Sequence, residues 1–267
     1  MSLDQPSPDV KPLSVTRDGF LDGRLTVEQP VDGFRAGLDS VLLGASVRVG
    51  QGRLLDLGCG AGVAGLVALT HNPRLSATFS DTDRTMLELC ARNIGANGFS
   101  ARAATLDADA TADAAARARS GFLAGHFDAV IANPPFYDPA TATVSANAPL
   151  AHAQTPDNFD RWVATAASVI RPGGEAIFVH RAASLALLLE AFACRFGGID
   201  ILPLAPHSGA PAFRIFIRGT IGIRAPLTLM PPIAVHASKG GPFSPDIDAI
   251  LRGRTPFLWH APPSVPK

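Results

Sequence analysis

The sequence has no surplus of either charge: 23 lysines and arginines stand against 23 aspartates and glutamates in 267 residues. That balance argues against a protein held to nucleic acid by a global basic field, while leaving room for a local basic patch. Cysteine is scarce. Cys59, Cys90 and Cys194 are too few and too scattered for a disulfide framework, and a reduced cytoplasm fits them best. The seven histidines are dispersed and none pairs with cysteine at ligand spacing, so no metal site is expected. Although 47% of the residues are hydrophobic, no run approaches the ~18 apolar residues of a membrane span. The opening Met1-Ser2-Leu3-Asp4-Gln5-Pro6 has neither a basic nor an apolar region and does not read as a signal peptide. There is no internal repeat.

What is present alternates. Residues 1–15 are polar, proline-rich and expected to be loose. "TRDGFLDGRLTVEQ" reads as a hairpin around Asp22-Gly23, opening an extension over residues 16–38. A helix is expected from about Ser40 with Asp39 at its N-cap. Strand signals at 53–57, 76–80, 101–106, 127–131 and 176–180 alternate with helical runs at about 60–70, 83–97, 108–119, 157–170 and 183–196. Two closing strands, 199–204 and 213–218, have no helix pattern between them, and a proline-rich tail follows. This pattern predicts an α/β fold: a doubly wound, mostly parallel, seven-stranded Rossmann-like sheet with an antiparallel end and an N-terminal hairpin. One domain should span residues 16–254, with 255–267 as a tail. Ligands of such sheets sit at the carboxyl ends of the strands.

The stretch "LLDLGCGAGVAGLVAL" (54–69) is a strand, a glycine-rich turn and a helix. Gly60, Gly62 and Gly65 match a dinucleotide fingerprint, a weak signal alone. Asp56 changes the ligand it suggests. A carboxylate beside the turn repels pyrophosphate, whereas S-adenosylmethionine carries an ammonium, a sulfonium and no phosphate. Gly58 and Gly60 let the backbone approach the ligand closely. Asp81, after the next strand, is placed to accept both ribose hydroxyl hydrogens. Asp83 competes for that role but better suits the next helix N-cap. Asp107 reaches the adenine edge in this arrangement, with Asp109 an equal candidate.

After the strand at 127–131 comes "NPPFY". An exocyclic amine on a base is a poor nucleophile because its lone pair is delocalised into the ring. Two acceptors on its hydrogens draw it towards tetrahedral geometry and free that pair. Asn133 supplies a side-chain carbonyl and Pro134 a backbone carbonyl. Pro135 stiffens the loop and removes a competing N–H, and Phe136 or Tyr137 can stack on a planar base. Positioning and electrostatics would supply the rate without a strong general base.

Together, "DLGCGAG", Asp81 and "NPPF" resemble the class I S-adenosylmethionine-dependent methyltransferases that modify planar amino groups. With "QPVDGFRAGLDSVLLGA", "RPGGEAIFVH" and "KGGPFSPDIDAILRG", the chain is similar to the bacterial tRNA1(Val) (adenine-N6)-methyltransferases over residues 16–254. That resemblance implies a cytoplasmic enzyme with S-adenosylmethionine as cofactor, bound by Asp56, Gly58, Gly60 and Asp81, and adenine N6 in tRNA as acceptor. It implies that Asn133 and Pro134 hold the amine, with Phe136 as the stacking ring, and that Asp39 lies near the methionine end of the cofactor. Two features depart from the family. The chain is neutral where the family is often basic, and "ADATADAAARAR" matches no recognition element.

Other residues have plainer readings. Arg17, Arg24 and Arg35, and Arg214, Arg218 and Arg224, are either phosphate contacts or scattered surface arginines. Cys59 fills space in the glycine loop, His152 borders the mouth or touches nothing, and Trp259 packs the tail. The competing functions are a protein glutamine N5-methyltransferase, an NAD-dependent oxidoreductase and a non-catalytic RNA-binding module. The first usually has a helical N-terminal domain. The second leaves Asp56 and Asn133 unexplained, and an intact motif argues against the third.

Overall fold

The computed structural model describes residues 14–33, 35–135, 156–257 and 259, with side chains from 159 onward in the third segment. The chain begins with a hairpin, β1 (Val15–Phe20) and β2 (Leu25–Pro30), paired antiparallel. The expected Asp-Gly turn is wider than two residues: Leu21, Asp22 and Gly23 all take positive φ, of 56°, 55° and 81°. A left-handed leucine is costly. Its side chain is 1% exposed, so burial in the core offsets the strain.

A doubly wound unit follows: α1 (Leu38–Ala45), β3 (Gln51–Leu57), α2 (Val63–His71), β4 (Arg74–Asp81), α3 (Arg84–Ala96), β5 (Ala103–Asp107), α4 (Ala114–Arg119), β6 (Phe127–Ala132), α5 (Pro156–Val169), β7 (Ile170–Arg181), α6 (Leu185–Ala193), β8 (Gly197–Ala205) and β9 (Arg214–Thr220). The seven main strands lie in the order β8-β9-β7-β6-β3-β4-β5. β9 is antiparallel to both β7 and β8 and the other pairings among the seven are parallel, as the sequence pattern requires. Two short strands, β10 (Thr228–Leu229) and β11 (Ile233–Ala234), each add to β8. Neither is legible in the sequence, because two residues set no period.

Two expectations need correcting. The alanine-rich run is helical only at its end. Asp109 bonds the Thr111 N–H and hydroxyl in a turn, and Asp113 caps α4 through the Ala116 N–H. The proline-rich tail contains a further helix, α7 (Pro245–Leu251), with proline in its first turn, where its missing N–H is no loss. Trp259 does pack the tail: it is 1% exposed, donates to the Ser46 carbonyl at 3.2 Å and lies under the Arg218 guanidinium. Among the described residues no helix is long and apolar enough to cross a membrane.

Helices α1 and α2 meet backbone to backbone. A Cβ on Gly44 would lie 2.2 Å from the Ala64 carbonyl oxygen and 2.7 Å from the Val67 Cβ. Overpacking against a helix backbone has no easy relief. Gly44→Ala is therefore expected to lose about 1–3 kcal/mol, read as a lower urea midpoint at unchanged m-value. An unchanged midpoint would mean that the two helices slide apart freely.

Candidate functional site

β3 lies between β4 and β6, where the strand order reverses. Its last residue, Leu57, pairs with Ser80 on one side and Ala132 on the other. The next residues are therefore brought level: Gly58, Asp81 and Asn133 stand side by side at the carboxyl ends of three strands. These residues converge because parallel register places each strand's exit beside its neighbours'.

The glycine loop is held tightly. Gly58, Gly60 and Gly62 have φ of 72°, 53° and 89°, the left-handed region that glycine enters at little cost. The Ser80 carbonyl accepts the N–H groups of Gly58 and Cys59 at 2.7 and 2.9 Å. Asp81 Oδ2 accepts the Gly60 N–H at 2.8 Å, and its Oδ1 accepts those of Thr82 and Asp83. Behind the loop, a Cβ on Gly58 would meet Trp162 Cη2 at 2.5 Å. Trp162, on α5, reads in sequence as an ordinary core aromatic, so its place as the floor of the loop was not legible. A Cβ on Gly60 would meet nothing within 4 Å, so the loop is open on that side.

Asp56 is 2% exposed and accepts the Gly65 N–H at 2.8 Å. Its Oδ2 thus ties the first turn of α2 to β3. Gly58, Cys59, Gly60, Gly62 and Gly65 all spend their N–H groups within the protein, which leaves fewer donors for a pyrophosphate. Burial pushes the Asp56 carboxyl up to about 7, against the Gly65 hydrogen bond and with a contribution from Asp81. The folded state therefore binds this proton more tightly than the unfolded chain. Through this group stability falls as pH rises from about 4 to about 7 and is level above. Asp56→Asn keeps an acceptor and removes the titration. Its stability relative to wild type should rise between pH 5 and pH 8 in urea unfolding, and an equal difference at both pH values would contradict this.

The remaining carboxylates divide. Asp83 caps α3, accepting the N–H groups of Thr85 and Met86, as expected. Asp107 is paired with Arg84 at 2.8 Å and half-exposed. Asp39 is not the N-cap: Gly37 is, and Asp39 lies in the first turn of α1 with its carboxylate on Arg214 Nε at 2.7 Å. Arg214 lies on β9, 175 residues away. Four of the other five arginines offered as phosphate contacts are also engaged internally, and Arg224 is exposed. Arg17 bonds Glu28, Arg24 the Gly253 carbonyl, Arg35 Asp18 and Thr16, and Arg218 Asp200.

Beside Asn133 lies a cavity of about 300 Å³ whose lining includes Gly37, Asp39, Ser40, Phe213 and Arg214. Asn133 Oδ1 is buried and has no hydrogen-bond partner among the described residues. A buried amide carbonyl left unpaired is costly, so this atom is the clearest sign of a missing donor. Pro134 is buried and Pro135 half-buried. Phe136, Tyr137 and His152 lie outside the described residues. On β7, burial and the neighbouring Arg181 and Arg214 push His180 down to about 3. It is a neutral imidazole at pH 7 and a weak base.

Comparison with known proteins agrees with this geometry. The family model of the methyltransferase small domain matches residues 38–193. Ribosomal RNA small subunit methyltransferase C of Shewanella piezotolerans is 36% identical over 95 residues, 36% of this chain and 25% of that protein. Its counterpart in Enterobacter sp. strain 638 is 33% identical over 129 residues, 47% of this chain and 34% of that protein. The chain thus spans about a quarter to a third of the length of these curated relatives. A structure described as a predicted O-methyltransferase of Agrobacterium tumefaciens aligns with TM-score 0.69 and 31% identity, covering 81% of this chain and 97% of that one. A T. thermophilus 16S rRNA N2 methyltransferase (RsmC), in complex with AdoMet and guanosine, shares the fold at TM-score 0.51 and 20% identity, covering 80% of this chain and 46% of that one.

Proposed function

This chain belongs to the methyltransferase small domain family, and from that premise we propose that it is an S-adenosylmethionine-dependent N-methyltransferase acting on an exocyclic amine of an unpaired base in RNA. The observation that carries the acceptor chemistry is the buried carbonyl of Asn133, a residue of the cavity wall, which has no hydrogen-bond partner among the described residues.

The residues present fit the cofactor. Gly60 leaves open space where a side chain would stand, and the loop offers close backbone approach without a phosphate nest. Asp81 already accepts three N–H groups, which fixes its carboxylate, and one lone-pair position on Oδ2 is left for a ribose hydroxyl. Asp39, oriented by Arg214, stands at the cavity wall for the ammonium. When bound, the cofactor supplies a methyl group on a good sulfonium leaving group.

The chain's own task is to present the nucleophile. Asn133 Oδ1 accepts one amine hydrogen and the Pro134 carbonyl the other. The nitrogen lone pair then turns out of the ring's π system. The proton leaves to solvent after transfer, so the weakly basic His180 is no obstacle. An amine offers two hydrogens to two acceptors, whereas a hydroxyl offers one. That favours nitrogen over the oxygen chemistry in the description of the Agrobacterium protein. Phe136, by its place in the motif, is the proposed stacking ring.

The resemblance of the motifs points to adenine N6 in tRNA, and the names of the relatives to ribosomal RNA. A loop base is the easier target in either, since flipping one out of a duplex costs a few kcal/mol. Calorimetry tests the cofactor assignment: S-adenosylhomocysteine should bind and NAD should not. Tight NAD binding without S-adenosylhomocysteine binding would return the loop to an oxidoreductase.

A further inference from the structure

The glycine loop is gripped from the sheet side by Ser80 and Asp81. From the opposite side a single side-chain amide reaches it. Asn93, on α3, is 0% exposed. Its Nδ2 donates to the Ala61 carbonyl at 3.0 Å and to the Glu28 carbonyl at 2.9 Å, and its Oδ1 accepts the Glu28 N–H at 2.8 Å. The amide therefore pairs with Glu28 as a neighbouring strand residue would, and its second N–H ends on the loop. One turn earlier on the same face, Cys90 presses on the loop as well: a Cβ on Gly62 would meet its Sγ at 2.7 Å.

We propose that Asn93 is a positioning residue of the cofactor site, one that sets the glycine loop against the β1–β2 hairpin so that the hairpin forms part of the cofactor-binding device. This goes beyond the reaction proposed above and rests on the glycine loop being the S-adenosylmethionine site. The competing role, simple docking of the hairpin, has its own residue. Asn97, four positions on, accepts the Thr26 N–H at 3.0 Å and donates to the Thr26 carbonyl at 2.8 Å, and among the described residues its side chain makes no hydrogen bond to the loop. Two asparagines on one helix face clamp β2, and only Asn93 carries the clamp through to Ala61.

The two roles separate in a comparison of Asn93→Asp with Asn97→Asp in the full chain. Each keeps the acceptor for a β2 N–H and replaces a donor by an oxygen facing a carbonyl. Only the first does this against the loop. Thermal melts fix a temperature at which all variants are folded, and S-adenosylhomocysteine is titrated there. Asn93→Asp is expected to bind it about tenfold more weakly, the scale of one lost hydrogen bond with its acceptor left buried. Asn97→Asp should melt lower than wild type yet bind within twofold of it. Asn93→Ser, uncharged and too short to reach Ala61, carries the same expectation if the aspartate variant does not fold. Wild-type affinity in the Asn93 variants overturns the proposal, and so does an equal loss in the Asn93 and Asn97 variants. Failure of wild type to bind S-adenosylhomocysteine would instead remove the cofactor reading, and this inference with it.

Discussion

Asn133→Ala is expected to reduce methyl transfer by about 10²–10³-fold, the cost of removing one preorganised polar group from a reacting centre. S-adenosylhomocysteine affinity should stay within twofold. The two effects separate because Asn133 lines the cavity with Asp39 and Arg214, and the bonds that hold the glycine loop come from other residues. The substitution also removes a buried oxygen that has no hydrogen-bond partner among the described residues, so the variant should be at least as stable as wild type. Inactivity combined with higher stability would mark a group kept for chemistry. Full activity would show that Pro134 alone prepares the amine, and inactivity with lost stability would make Asn133 structural.

Asp81→Ala should weaken S-adenosylhomocysteine binding by ~1.5–3 kcal/mol, the range for a hydrogen bond to a charged group. Two effects act in the same direction. The ribose loses its acceptor, and the N–H groups of Gly60, Thr82 and Asp83 lose theirs, which loosens the loop. Asp83 cannot substitute, because its carboxylate is spent on the first turn of α3. Affinity within twofold of wild type, measured by calorimetry, would place the ribose elsewhere.

The alternation of strands and helices was legible because the strand runs are short and helical runs separate them, and parallel sheets then leave few topologies. Gly58, Asp81 and Asn133 were legible together for the same reason. Each follows a strand exit, and a doubly wound sheet brings exits to one edge. Contacts between distant segments were not. Nothing in the local sequence couples Asp39 to Arg214, Trp162 to the back of Gly58, or Asn93 to Ala61. Arg214 reads in sequence as a phosphate contact or a surface arginine because charge alone does not show a partner. Asp56 was legible as part of the motif, and its bond to Gly65 was not. Motif spacing fixes a strand position, whereas the hydrogen bond to Gly65 decides which way the carboxylate turns. α7 was missed because Pro245 reads as a breaker until it falls in the first turn, where it is tolerated.

The central claim is that the cleft delivers a methyl group to an exocyclic nitrogen of an RNA base. It is tested most directly by incubating the protein with methyl-labelled S-adenosylmethionine and, separately, total tRNA and protein-free 16S rRNA from cells lacking it. The RNA is then digested to nucleosides. The account expects label in N6-methyladenosine or N2-methylguanosine in wild type and none with Asn133→Ala. Label on a ribose hydroxyl, or on protein in place of RNA, would contradict it.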